Sequence, residues 1–162
     1  MELKSLKSFA LLENVIFLKK IALFSNIKTS ELRMIAAIAE ELSFRQDAII
    51  VKENDPGDSA YIIKEGCVKI VKKTPDNRPV DIAELCAGEF FGEMSLFDGE
   101  PRSATAFAKT PCIVLRLMRE NLFDVMEEHP SIAVELIKIF VKRLRATIAR
   151  IEGSDLSASE RL

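Results

Sequence analysis

The sequence has few histidines and cysteines and almost no net charge. It therefore lacks the residues that a metal site, a disulfide framework or an electrostatic attraction to nucleic acid would require. His129 is the only histidine, and Cys67, Cys86 and Cys112 form no CxxC pair. A structural zinc site and a disulfide framework are therefore not expected, and three separate thiols suit a reducing, cytoplasmic environment. The net charge is only −2, from 25 acidic and 23 basic residues, so we expect no nucleic-acid partner and no metal or other cofactor.

The chain also lacks a long uninterrupted apolar run. Its most apolar early stretch, residues 9–24, contains Glu13, Asn14, Lys19 and Lys20. A transmembrane helix needs about 20 consecutive apolar residues, and a secretory signal needs an unbroken apolar core. The stretch therefore predicts an amphipathic helix, with no contact to a membrane.

What the chain does contain is enough apolar material for one core. Its 162 residues are 48% hydrophobic and 30% charged, which favours a single globular domain with helical extensions. Changes in pattern along the chain divide it into four parts. We predict an N-terminal helical segment (1–41), a β-roll (42–117), C-terminal helices (118–152) and a disordered tail (153–162).

The middle part alternates short runs rich in isoleucine and valine with turn signals. We predict strands at residues 48–51, 60–64, 67–73, 80–85, 103–108 and 112–117. Such spacing is typical of a small antiparallel barrel or jelly roll, a fold that often houses a ligand between its sheets. With one histidine, the chain cannot build the metal site found in some jelly rolls.

Helix signals flank the strands. Thr29 is a candidate cap for a helix with Glu31 in its first turn. A helix is predicted at 119–128, and Ser131 is a candidate cap for a long helix that Gly153 ends.

One segment of the β-roll combines the groups that a phosphate and a sugar require. Gly92 lets the backbone approach a ligand closely, and Glu93 opens a short helix whose free N–H groups favour an anion. Arg102 follows among small residues and offers paired donors suited to phosphate oxygens. Taken singly, Glu93 could merely complement the helix dipole, and Arg102 could be a surface arginine paired with Asp98 or Glu100.

Together these residues resemble a known motif. Phe-Gly-Glu-Met-Ser-Leu (91–96) followed by Pro-Arg-Ser-Ala-Thr (101–105) is similar to the phosphate-binding cassette of cyclic nucleotide-binding domains. Those domains occur in catabolite activator proteins, in regulatory subunits of cyclic AMP-dependent kinase and in cyclic nucleotide-gated channels. Residues 55–70 resemble the family's strand-turn-strand signature, and the similarity covers about residues 20 to 150.

The resemblance implies a role for each cassette residue. Arg102 would hold the cyclic phosphate with the N–H groups of Ser95 and Ser103, and Glu93 would accept a hydrogen bond from the ribose 2′-hydroxyl beside Gly92. Other side chains would contact the base. The predicted ligand-binding residues are Gly92, Glu93, Met94, Ser95, Arg102, Ser103, Ala104, Ile70 and Ile82.

The choice of base depends on the position after the arginine. In the family, alanine there is typical of cyclic AMP-selective kinase sites and threonine of cyclic GMP-selective ones. Ser103 occupies that position, and serine also occurs in cyclic AMP-binding bacterial regulators. Cyclic AMP is favoured, and cyclic GMP stays open.

The long C-terminal helix carries an apolar seam and a basic face. The seam is spaced 4, 3, 4 and 3, which favours packing on a partner helix, although it could instead bury against the N-terminal helices. Its members are Ile137, Val141, Leu144, Ile148 and Ile151. The basic face, which is best explained as solvated, consists of Lys138, Lys142, Arg143, Arg145 and Arg150; one of these residues or a seam residue could cap the base.

The function favoured by this combination is a stand-alone, non-enzymatic cyclic nucleotide sensor that closes its last helix over the ligand, with a homodimer through the seam and an unknown effector. No catalytic residues are predicted, because no nucleophile lies beside a base and no metal cluster is present. Two alternatives remain open. One is the ligand-binding and dimerisation part of a transcription regulator without its DNA-binding domain, and the other is a ligand-free interaction module.

Overall fold

The computed structural model describes residues 2–159, without the side chains of residues 2–6, 23 and 151–159. The α-helices in that part are α1 (Glu2–Lys20), α2 (Thr29–Ile38), α3 (Glu93–Asp98), α4 (Arg119–Glu128) and α5 (Pro130–Ser159), and a 3₁₀ helix spans Ala22–Phe24. The strands are β1 (Ala39–Phe44), β2 (Ile49–Val51), β3 (Ser59–Glu65), β4 (Cys67–Lys73), β5 (Pro79–Cys86), β6 (Phe90–Phe91), β7 (Thr105–Ala108) and β8 (Cys112–Met118).

The strands form two four-stranded antiparallel sheets that face each other. One has the order β1-β8-β3-β6 and the other β2-β7-β4-β5. Their facing sides bury one apolar core, in which Ile63, Val68, Ala108 and Val114 are fully enclosed. The predicted β-roll with N-terminal helices and a long C-terminal helix is confirmed.

The helices cover the outer face of the first sheet. Because successive side chains of a strand point to opposite faces, Ile62 and Leu115 pack outward against the helices while Ile63 and Val114 point into the roll. Leu18 of α1, Leu32 of α2 and Ile132 of α5 complete this second core. Within residues 2–159, no helix is long and apolar enough to cross a membrane.

Several predicted boundaries were wrong. The first helical part ends at Ile38 rather than near residue 41, because residues 39–44 form β1, which pairs with β8 from Ala39↔Leu117 to Phe44↔Cys112. The two-residue strand β6 was not predicted. Helix α5 continues through Gly153 to Ser159 instead of ending at Gly153, and residues 160–162 lie outside the described part. A single glycine costs a helix only about 1 kcal/mol relative to alanine.

The expectation of three separate thiols was also wrong. Cys67 and Cys86 form a disulfide, whereas Cys112 is a free, buried thiol as expected. The pair lies opposite in the β4–β5 ladder because a β-bulge shifts the register between Ile70 and Val71. Without that shift, the pairing set by the hairpin turn would place Leu85 opposite Cys67.

Glu31 ties the N-terminal helices to the last one. The Ser131 hydroxyl of α5 donates a hydrogen bond of 2.5 Å to its carboxylate, and the Lys28 main-chain N–H donates one of 3.0 Å. Ser131 therefore contacts α2 instead of capping α5, and Thr29 is the first residue of α2 instead of its cap. The Ser131 bond, ahead of the Lys28 bond, holds the Glu31 pKa below its ordinary value of 4.5 despite burial.

Glu31→Gln should lower the free energy of unfolding by about 1–3 kcal/mol at pH 7, because two hydrogen bonds lose their charged acceptor. Because folding lowers the pKa of Glu31, its ionised carboxylate stabilises the folded state at pH values above the ordinary pKa of 4.5. This stabilisation is lost as the pH falls through the lowered pKa. Urea unfolding at pH 7 and in acid should therefore show a difference from the wild type that shrinks on acidification. Glu127→Gln, on the exposed face of α4, is the control; equal effects of both variants at pH 7 would refute this role.

Candidate functional site

The site is built where β6 enters the short helix α3. Gly92 precedes α3 with φ of +79°, a backbone conformation that favours glycine. A Cβ atom there would lie 2.8 Å from Nη1 of Arg102 and 3.1 Å from the carbonyl oxygen of Ser59. A Cβ on Gly57 would lie 2.1 Å from that of Ser95, a residue of α3. Glycines at both positions therefore allow three segments of backbone to converge around one arginine.

Arg102 is held by main-chain groups from several elements. Its Nη1 donates to the carbonyl oxygens of Ser59 at 2.6 Å and Gly92 at 3.1 Å, and its Nη2 donates to Ser59 Oγ at 3.0 Å. Its own N–H donates to Asp55 O at 2.8 Å, and its carbonyl accepts from Asn54 N at 2.9 Å. The turn at residues 54–58, β3 and the start of α3 thus fix both its backbone and its side chain.

The charge of Arg102 is buried and weakly compensated. Only 5% of the residue is exposed, and its hydrogen-bond acceptors are neutral. Among the residues described, the carboxylate paired with it is Asp58, 3.9 Å away on a side chain that is 69% exposed. Because burying an unpaired charge costs free energy, this arrangement favours an anion close to the guanidinium.

Arg102 opens onto a cavity of about 370 Å³ between the second sheet and α3, a size typical of small-molecule sites. The structure brings all nine residues of the predicted ligand-binding set to this one cavity. They are Gly92, Glu93, Met94, Ser95, Arg102, Ser103, Ala104, Ile70 and Ile82. Ile82 has no partner in the β4–β5 ladder and is the extra residue of the bulge, a device that re-aims side chains beside binding sites.

Glu93 connects the site to the C-terminal helix. Arg143 of α5 donates from Nη1 to Glu93 Oε1 at 3.1 Å and to the carbonyl oxygen of Phe90 at 3.0 Å. Its guanidinium also lies over the Phe90 ring, 4.5 Å from the centroid. Helix α5 therefore reaches the edge of the cavity through one side chain that bonds to both ends of the β6–α3 junction.

Two basic residues at the cavity were not placed there by sequence reasoning. Arg143 belongs to the predicted basic face, any member of which could cap the base, and nothing in helical periodicity separates it from its neighbours. Lys72 carries a usable signal, because Val68, Ile70 and Lys72 share one face of β4 and the third breaks the apolar pattern. Lys72 lines the cavity and donates from Nζ to the carbonyl oxygen of Ser103 at 3.0 Å.

Gly92→Ala should destabilise the fold and disturb Arg102, since the new Cβ would be strained at positive φ and would crowd Nη1. Gly88→Ala is a matched control, because Gly88 has φ of +90° but its Cβ would meet nothing closer than 4.0 Å. We expect Gly92→Ala to cost about 1 kcal/mol more than Gly88→Ala in urea unfolding. Equal losses would show that Arg102 does not crowd this position.

Known proteins of one family match this chain. The family model of the cyclic nucleotide-binding domain matches residues 41–129. The CRP-like cAMP-activated global transcriptional regulator of Mycobacterium tuberculosis is 28% identical over 130 residues, covering 80% of this chain and 58% of the regulator. A cAMP-dependent protein kinase regulatory subunit of Dictyostelium discoideum is 34% identical over 110 residues, covering 65% of this chain and 34% of the subunit.

A solved structure agrees with the sequence relatives. A cyclic nucleotide-binding domain from Methylobacillus flagellatus KT superimposes with a TM-score of 0.75 and 29% identity, covering 90% of this chain and 83% of that one. The alignments thus span 58% of the mycobacterial regulator and 34% of the kinase subunit. The family model covers more than half of the chain and the fold agrees with it, so the chain belongs to the cyclic nucleotide-binding domain family.

Proposed function

We propose that the cavity binds a cyclic mononucleotide, with cyclic AMP as the favoured ligand, and that the chain is a regulatory domain that binds its ligand without converting it. The observation that carries this proposal is the buried Arg102 cation, which lines the cavity and whose carboxylate partner among the described side chains is distant and exposed. A cyclic phosphodiester brings one negative charge, which offsets that cation without exposing it to water.

The remaining groups suit the other parts of the ligand. With the phosphate at Arg102 and the N–H groups of Ser95 and Ser103, the ribose lies beside Glu93, a carboxylate that accepts hydroxyl hydrogen bonds. The base then extends towards the second sheet, where apolar side chains line the cavity. The residues in that wall include Ile70, Ile82 and Ala104.

Two observations bear on whether the base is adenine or guanine. The mycobacterial relative is named for activation by cAMP and the Dictyostelium relative for dependence on it, which supports an adenine ligand here as well. Lys72 favours cyclic GMP as the second candidate, because its ammonium group lies next to Ser103 and can only donate. Guanine offers the acceptors O6 and N7 on one edge, whereas adenine offers one acceptor and one donor.

Ligand binding would be coupled to α5 through Glu93. In the structure the Glu93 carboxylate accepts a hydrogen bond from Arg143. A ribose hydroxyl that donates to the same carboxylate would change the strength of its bond to Arg143. The position of α5 would then depend on whether the cavity is occupied. A ligand shifts such an equilibrium only through contacts that differ between the two states, and the Glu93–Arg143 pair is a contact of that kind.

Calorimetry with cyclic AMP and cyclic GMP tests the ligand. Arg102→Ala should weaken binding at least about 30-fold, because truncating one member of a buried charge pair costs about 2–5 kcal/mol. Arg78→Ala is the control, since Arg78 is an exposed residue of the β4–β5 turn and should leave binding unchanged. Arg102→Lys keeps the charge but not the paired donors, so an intermediate loss is expected.

Circular dichroism and thermal unfolding of each variant separate loss of binding from loss of fold. Absence of binding heat from both nucleotides with the folded wild-type protein would overturn the proposed function. Equal affinity of wild-type protein and Arg102→Ala would overturn the role given to Arg102 while leaving the ligand in place.

The α5 seam supports a homodimer as part of the same proposal. Ile137, Val141, Leu144 and Ile148 are all exposed, which contradicts the alternative that they bury against the N-terminal helices; the Ile151 side chain lies outside the described residues. Phe140, on another side of α5, packs edge-on against Phe90. An apolar stripe at coiled-coil spacing fits a second copy of the same helix.

Leu144→Glu should convert the dimer into a monomer in sedimentation experiments, because Leu144 is 61% exposed at the middle of the seam and a buried unpaired carboxylate is costly. Ala146→Glu introduces the same charge on α5 away from the seam and should preserve the dimer. A wild-type protein that sediments as a monomer, or a Leu144→Glu dimer, would refute the interface.

A further inference from the structure

The Cys67–Cys86 disulfide closes the open end of the β4–β5 hairpin. At the other end, the turn is fixed by a hydrogen bond of 2.9 Å from Thr74 N to Arg78 O. The chain itself joins the two strands at the turn, and the disulfide joins them at the opposite end. The bulge described above is what brings the two cysteines together, so the disulfide depends on the same irregularity that directs Ile82 to the cavity.

β5 depends on this link more than the central strands β7 and β4 do. It is one of the two edge strands of its sheet, and its ladder partner in the sheet is β4. Residues 79–82 of β5 are exposed, so few buried contacts hold that half of the strand. An edge strand with one partner loosens more readily than a strand paired on both sides.

The hairpin forms one wall of the proposed nucleotide cavity. Ile70 and Lys72 of β4 and Ile82, Ala83 and Leu85 of β5 line it. Whatever fixes β5 against β4 therefore fixes the surface on which the base would rest.

The disulfide is also joined to the start of the phosphate-binding segment. The N–H of Cys86 donates to Glu89 Oε2 at 2.8 Å, and Glu89 N donates back to the Cys86 carbonyl at 3.0 Å. This tight turn leads directly into β6 and Gly92. A change at Cys86 can thus reach both the base wall and the segment that contacts Arg102.

We propose that Cys67 and Cys86 are a reversible oxidation site that sets the affinity of the cavity for its nucleotide. The inference rests on the proposed function for its ligand, and on geometry alone for the site. Both cysteines are half-buried on the outer side of the sheet, and the Glu84 carboxylate lies within 4.8 Å of both sulfurs. Cys112 stays apart, buried, with its thiol donating to the carbonyl oxygens of Cys67 and Thr110 at 3.1 Å.

The chemistry is thiol–disulfide exchange with a low-molecular-weight disulfide. One cysteine thiolate attacks that disulfide, forms a mixed disulfide and releases the first small thiol. The second cysteine thiolate then attacks the protein sulfur of the mixed disulfide and releases the second small thiol. The protein loses two hydrogens, and the small disulfide is reduced to two thiols.

The oxidised form should bind the nucleotide more tightly, because a cross-linked wall is already ordered before the ligand arrives. Reduction should free the end of the edge strand and weaken binding of cyclic AMP about 3- to 10-fold, mainly through faster release.

The experiment compares the whole chain after treatment with glutathione disulfide and after reduction, using cyclic AMP as the probe. Mass spectrometry measures the loss of two hydrogens on disulfide formation, and calorimetry measures the affinity for cyclic AMP. Hydrogen exchange measures how readily residues 79–86 open. The double variant Cys67→Ser/Cys86→Ser should bind like reduced protein under both conditions. Cys112→Ser is the control and should respond to redox state like the wild type.

Equal affinity and equal β5 exchange in the oxidised and reduced wild type would overturn the inference, as would a failure of Cys67 and Cys86 to bond after oxidation, which would leave three free thiols instead of one. If no cyclic nucleotide binds in either state, the proposed function fails. In that case, faster β5 exchange on reduction would still support the oxidation site, and unchanged exchange would overturn it.

Discussion

The burial of one positive charge is the constraint on which the site depends. Arg102 is enclosed by neutral acceptors from Ser59 and Gly92, and its backbone is held by the turn at residues 54–58. Each of these elements must approach closely, which explains glycines at positions 57 and 92. The fold thus holds a weakly compensated cation at the cavity before any ligand arrives, and the proposed anionic ligand would gain from an arrangement that is already ordered.

The other sides of the cavity are held less firmly. The β4–β5 wall ends in an edge strand fastened by a disulfide, and the cavity edge is reached by Arg143 from a helix whose far side is exposed. A firmly held arginine and two adaptable sides suit the proposed sensor. In that proposal the Arg102 end would supply binding free energy in every state, whereas the wall and the helix would change with ligand or redox state and so transmit a signal.

Much of the fold and of the candidate site could be predicted from the sequence because the sequence patterns that define them are local. β4 occupies the predicted residues 67–73, since branched residues and flanking turns define it, and the cassette residues lie within one short segment. The failures depend on long-range pairing. Residues 39–41 follow a helical pattern but join β8 across the chain. The disulfide depends on a one-residue bulge, and Arg143 reaches Glu93 only because α5 folds back over α3.

The most direct measurement of the central claim is a crystal structure of the chain with cyclic AMP. We expect the cyclic phosphate within hydrogen-bond distance of the Arg102 guanidinium, the ribose 2′-hydroxyl at the Glu93 carboxylate, and the base against the β4–β5 wall. A nucleotide bound elsewhere, or one in the cavity whose phosphate makes no contact with Arg102, would contradict the proposed binding mode.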